Sequence, residues 1–249
     1  MTKRSTLALV LTGLLLLAGA CTGRSTTTGR SATVTSGLST VLLVGDSVAV
    51  GEAAPLTAAF AASGVHFQSI AADGGGNVVG PFSDRNWQTL PTQIDSTRPT
   101  VVVYQITTYD WGSQQEQHDA YGKLLTTVAG AGAKLVFVSA PPIQPDDFYR
   151  PHLADLDRAP GVARTVADSS AGRGNMLDAS AVWGTTYQRY RDGKVDRSSD
   201  GIHTCPQGAA RFTNWLLGAL AKQYPGFNPA DPRAWANTGW SADKHFVGC

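Results

Sequence analysis

Two short stretches of this sequence hold side chains that together could carry nucleophilic catalysis. Gly45-Asp46-Ser47 follows directly on the apolar run Val41-Leu42-Leu43-Val44. A serine at the end of a strand, entering a turn and then a helix, is exposed among helix N-terminal amides; it suits a nucleophile, and the amides suit an oxyanion. The second stretch is Ser199-Asp200-Gly201-Ile202-His203. An Asp and a His three apart in a loop can touch, the carboxylate accepting from imidazole Nδ1–H and leaving Nε2 to take a serine proton. Each stretch alone is weak, since Gly-Asp-Ser turns are common and Asp-x-x-His also describes a helix cap beside a surface histidine. Nor is the first the Gly-x-Ser-x-Gly elbow, because Ala49 stands where the second glycine belongs. Their conjunction is what points to acyl transfer.

The elements between the two stretches must bring them together. Short apolar runs at residues 41–44, 66–70, 101–104, 134–138 and 176–178 predict five strands. Pro55 is expected to open a helix that carries Leu56, Ala59 and Phe60 at helical spacing. Further helices are expected over 117–128, within 152–168 and over 207–223, the last with a stripe of Phe212, Trp215, Leu216, Ala219 and Leu220. Such alternation gives a parallel sheet covered on both faces, with sites outside the carboxyl ends of its strands. Both chemistry-bearing stretches follow that rule. There is no internal repeat or second domain, and the tail over 225–249 shows no periodicity.

On these residues the chain resembles the SGNH (GDSL-type) hydrolase family, over residues from about 40 to 224. The resemblance implies a three-layer α/β/α sandwich around a flavodoxin-like five-stranded parallel sheet. It implies Ser47 as nucleophile, with its own amide in the oxyanion hole, and Asp200 and His203 as acid and base. The family's second block is a glycine after the second strand, for which Ala71-Ala72-Asp73-Gly74-Gly75-Gly76 offers Gly74, with Gly75 as the alternative. The third block, usually Gly-x-Asn-Asp, is where this chain departs: Gln105-Ile106-Thr107-Thr108-Tyr109-Asp110 keeps an Asp but has neither Gly nor Asn. Gln105, Thr108 or Tyr109 would then supply the third donor, or the hole has backbone donors only. The expected activity is that of a serine esterase on small-molecule or glycan carboxyl esters, O-acyl groups of envelope glycans or lipids among them, without cofactor. An O-acyltransferase with the same triad and a catalytically idle glycan-binding lipoprotein are the alternatives.

The rest of the sequence says where such chemistry would work. At 249 residues the chain suits one domain behind an N-terminal leader. Lys3 and Arg4 precede an apolar run over 7–20, too short to span a membrane comfortably, which ends in small residues before Cys21. This resembles a bacterial lipobox, so 1–21 is expected to be a lipoprotein signal with Cys21 lipidated. Residues 22–38, rich in Ser, Thr and Gly, read as a tether, and 39–249 as the domain. The protein is therefore expected to be exported, held to the membrane by lipid alone, and monomeric. Outside the cytoplasm Cys205 and Cys249 would pair. Removing Lys3 and Arg4 takes the formal charge from +1 to about −1, which offers nucleic acid nothing. The histidines are scattered without metal-site spacing. Gly74, Gly76 and Gly80 suggest a dinucleotide loop, but Pro81 denies it the helix it needs. Trp183, Tyr187 and Tyr190 precede Asp200 and are read first as packing a loop onto the core, second as lining a cleft.

Overall fold

The structure is a computed structural model that describes residues 37–249. The leader, Cys21 and the tether up to residue 36 lie outside the described residues, and Leu38 is already buried. Five parallel strands, β1 (Thr40–Val44), β2 (His66–Ser69), β3 (Val101–Gln105), β4 (Lys134–Val138) and β5 (Gly174–Leu177), pair in the order β2-β1-β3-β4-β5. Leu43 pairs with Val103 and Val103 with Val136, so the three central strands run in step.

Strand side chains alternate between the two faces, and each face buries its own core. Leu42, Val102, Tyr104, Leu135 and Phe137 pack against α2 (Ser83–Thr97), α3 (Gln114–Gly130) and α4 (Leu153–Asp168). Leu43, Val101, Val103, Val136 and Val138 pack against α1 (Ser47–Ala62) and the last helix, Pro206–Gln223, where Phe212, Leu216 and Leu220 are buried. The result is the expected three-layer α/β/α sandwich.

Two helices differ from the sequence expectation. Helix α1 begins at Ser47, with Asp46 as its cap, and Pro55 lies inside it. There the proline ring denies the Gly51 carbonyl its usual donor, and burial of Leu56, Ala59 and Phe60 holds the helix through that defect. Helix α2 was not expected, because it is polar and contains Pro91; only Leu90 and Ile94 are fully buried. Before the last helix come a single turn, α5 (Ser180–Trp183), and a small hairpin, β6 (Tyr190–Arg191) with β7 (Lys194–Val195). The last helix is therefore α6. The aperiodic tail is held by packing: Phe227 and Trp235 are buried in the core under α1 and α6.

Candidate active site

The chain leaves β1 through Gly45 and turns at Asp46, whose Oδ1 accepts from the amide of Val48 at 3.0 Å and so caps α1. Its Oδ2 accepts from the Thr108 amide at 2.7 Å and the Thr108 hydroxyl at 2.8 Å. One buried carboxylate thus ties the turn bearing Ser47 to the loop after β3. Burial raises the Asp46 carboxyl above its ordinary range, and the bonds from Thr108 and Val48 oppose the rise.

Ser47 is the first residue of α1, and its Oγ lies 2.8 Å from Nε2 of His203. His203 Nδ1 lies 2.8 Å from Asp200 Oδ2. The other Asp200 oxygen accepts from the amides of Ile202 at 2.8 Å and His203 at 3.0 Å. Partial burial pulls the Asp200 carboxyl upward, but bonds from the His203 ring and these amides outweigh it and hold it at about 2. The loop turns at Gly201, whose φ of +83° is the left-handed region; a Cβ there would lie 2.9 Å from Gln144.

Beneath this loop lies a residue the sequence reading missed. Arg197 is buried and donates to the carbonyls of Pro142 at 2.8 Å, His203 at 3.3 Å and Ile202. Its guanidinium lies over the rings of Trp183 and Tyr187. Burial lowers its pKa, against the attraction of Tyr187 and Glu52. Trp183 stacks on Phe212 and Tyr187 donates to the Ser198 carbonyl, so both pack the loop, while Tyr190 is exposed.

In the loop after β3, two of the three expected side-chain donors are engaged elsewhere. The Gln105 amide donates to Glu52 Oε2 at 2.8 Å in the interior, which commits it away from any oxyanion. Burial pushes the Glu52 carboxyl well up. Thr108 spends both donors on Asp46, and Tyr109 shares a long hydroxyl contact of 3.4 Å with Tyr149. Asp110 is fully buried and accepts from Tyr104, Tyr121 and Thr107. Its carboxyl is pushed up to about 7 by burial, against those hydrogen bonds.

On the other flank, the glycine that geometry singles out is Gly76. At φ +77° its backbone lies so close to the Gly45–Asp46 peptide that a Cβ would fall 1.9 Å from the Gly45 oxygen. A Cβ on Gly74 would meet nothing within 4 Å, and one on Gly75 only Ala72 at 4.0 Å. The close backbone approach to β1 is thus made by Gly76, while Gly74 and Gly75 stand clear beside it. A cavity of about 690 Å³ at the ends of β4 and β5 borders the site through Thr107, Thr108, Pro142, Ile143 and Tyr187. Among the described residues no group of His, Cys, Asp and Glu is placed to hold a metal.

No family profile matches the chain, and no curated protein matches it in sequence. Solved structures do match. A carbohydrate esterase family 3 protein from Talaromyces cellulolyticus superposes with a TM-score of 0.57 at 14% identity, over 77% of this chain and 100% of its own. A mutant of an acetyl-xylooligosaccharide esterase from Geobacillus gives 0.54 at 14% identity, over 77% and 96%. A GDSL-like lipase from Bacteroides thetaiotaomicron gives 0.51 at 11%, over 74% and 88%. The chain has the SGNH hydrolase fold.

In this domain the C-terminal tail runs back to the site. Cys249 is disulfide-bonded to Cys205, two residues beyond His203. The Gly248 carbonyl accepts from the Ser199 amide at 3.0 Å and the Val247 carbonyl from the Ser198 hydroxyl at 2.7 Å. His245 reaches Asp73, ahead of the glycines, with Nε2 3.6 Å from Oδ2. The tail thus touches both the loop that carries Asp200 and the glycine turn.

Proposed function

We propose that the chain is a serine esterase acting on carboxyl esters outside the cytoplasm. The observation that carries this reading is the unbroken chain from Asp200 through His203 to Ser47, with both links at 2.8 Å. In the proposed cycle Ser47 Oγ attacks the ester carbonyl while His203 Nε2 takes its proton. His203 returns that proton to the departing alcohol oxygen, leaving an acyl-enzyme on Ser47. Water, deprotonated by the same Nε2, then releases the acid and restores the serine. Asp200 orients the ring and stabilises its charged form. The developing oxyanion is met by main-chain amides of Ser47 and the Gly74–Gly76 turn, and of the side-chain donors only the Tyr109 hydroxyl is left to assist them, because Gln105 and Thr108 are engaged elsewhere.

The carbohydrate esterases among the structural neighbours favour acylated glycans as substrates. The disulfide and the lipobox-like leader favour an exported protein anchored through a lipid on Cys21. Kinetics on aryl acetates and acetylated oligosaccharides test the assignment. Ser47→Ala and His203→Ala should each lose at least about a thousandfold in kcat, and Asp200→Ala less. Full turnover by folded Ser47→Ala would overturn it.

A further inference from the structure

The backbone at Phe82 is held where phenylalanine is disfavoured. It precedes α2 at φ 69° and ψ −10°, the left-handed region in which a bulky side chain is strained. The residue is nonetheless 51% exposed, so the strain is not offset by burial in the core. What the conformation achieves is placement. The ring meets Tyr109 edge-on at 5.6 Å, Tyr109 meets Phe148 edge-on at 6.3 Å, and Phe148 is itself 52% exposed. The base of this row is set beside the catalytic residues, since Tyr109 and Tyr149 pack on Val48 and Ile202, the chain neighbours of Ser47 and His203.

The two ends of the row differ: Phe148 lies against Trp111 and Tyr149, whereas the Phe82 end is mostly polar. On the glycine-turn side Phe82 borders a cavity of about 410 Å³ that is also lined by Gly76, Asp73, Arg85, Asn86 and Gln88. An acyl chain or a lipid running past Phe82 would want an apolar trough there. A pyranose presents instead an apolar face of C–H groups with hydroxyls around its rim, which rings flanked by carboxylate, guanidinium and amide groups would match. We propose that Phe82 and Phe148, braced on Tyr109 between them, form an aromatic platform whose two exposed rings contact sugar units of the glycan whose ester is presented to Ser47. This deepens the esterase reading and rests on it for the placing of the ester.

Phe82→Gly separates function from architecture, because glycine adopts the left-handed region freely and the variant should melt no lower than the parent. Phe148→Ala is a second, independent probe. For each, the ratio of kcat/KM on partially acetylated cellopentaose to that on phenyl acetate should fall about tenfold, the loss of contact with part of a ring, mostly through KM. An unchanged ratio in both variants would overturn the platform. So would a loss confined to p-nitrophenyl decanoate, which would mark an acyl-chain site instead. Calorimetric titration of Ser47→Ala with unacetylated cellopentaose keeps the two claims apart. Binding that weakens about tenfold on adding Phe82→Gly supports the platform even if no ester is turned over. Binding indifferent to both aromatic substitutions rejects it even if phenyl acetate is hydrolysed well.

Discussion

The Asp46 carboxylate holds Thr108 through two hydrogen bonds, from the amide at 2.7 Å and from the hydroxyl at 2.8 Å. One side chain therefore fixes the turn that presents Ser47 against the loop after β3. Thr108→Val keeps the shape and the amide bond but removes the hydroxyl donor to a charged acceptor. It should cost about 1.5–3 kcal/mol of stability. Asp46→Ala should cost more, because it also strips the cap from α1 and leaves the buried Thr108 amide without a partner. Denaturant melts of both variants check the ranking. A Thr108→Val protein as stable as the parent would contradict it.

The disulfide closes a separation of 44 residues and ends on the loop that carries Asp200 and His203. In the chain-entropy model a loop of this length contributes about 4 kcal/mol. Cys249→Ser should therefore lower the melting temperature markedly. It should lower kcat as well, since the hold of Gly248 on Ser199 is released with the tail. Alkylation of the unreduced, denatured protein should label neither Cys205 nor Cys249.

Asp110 gives the fold a pH dependence with a definite sign. Its carboxyl titrates at about 7 in the folded chain against 3.8 when unperturbed. Between those values the folded state holds a proton that the unfolded state has lost, so this group's contribution to stability falls as pH rises from about 4 to 7, by at most about 1.4 kcal/mol per pH unit. The contribution is whole below the unfolded value and gone above the folded one. Asp110→Asn should flatten that part of the stability–pH curve while lowering stability overall, since an amide is a poorer acceptor for Tyr104 and Tyr121. Thermal melts across pH 4 to 8 would show it, and an identical slope in the variant would contradict it.

What could be read from the sequence was whatever is local along the chain. The apolar runs that become β1, β3 and β4 are continuous because both faces of those strands are buried. Asp200 and His203 sit three apart, so a single turn brings them together. Helix α2 was missed because only Leu90 and Ile94 face the core fully, too sparse a stripe around Pro91 to stand out. Pro55 reads as a helix opener by its type, yet the capping carboxylate of Asp46 starts α1 two turns earlier. Three adjacent glycines look alike in sequence, and only the approach of the Gly45 carbonyl singles out Gly76. Gln105 was a fair candidate for an oxyanion donor until Glu52, far off along the chain, took its amide. Arg197 gave no signal, because its partners are main-chain carbonyls, which no residue type announces.

The central claim is that His203 and Asp200 make Ser47 an activated nucleophile. A fluorophosphonate probe reads this directly, since it phosphonylates an activated serine and leaves ordinary hydroxyls unmodified. Peptide mass spectrometry of the labelled protein should place one adduct, on Ser47. Labelling should disappear in Ser47→Ala and fall at least about a hundredfold in rate in His203→Ala, where the hydroxyl has lost its base. A folded parent protein that takes up no probe, or an adduct on any other serine with Ser47 unmodified, would contradict the account.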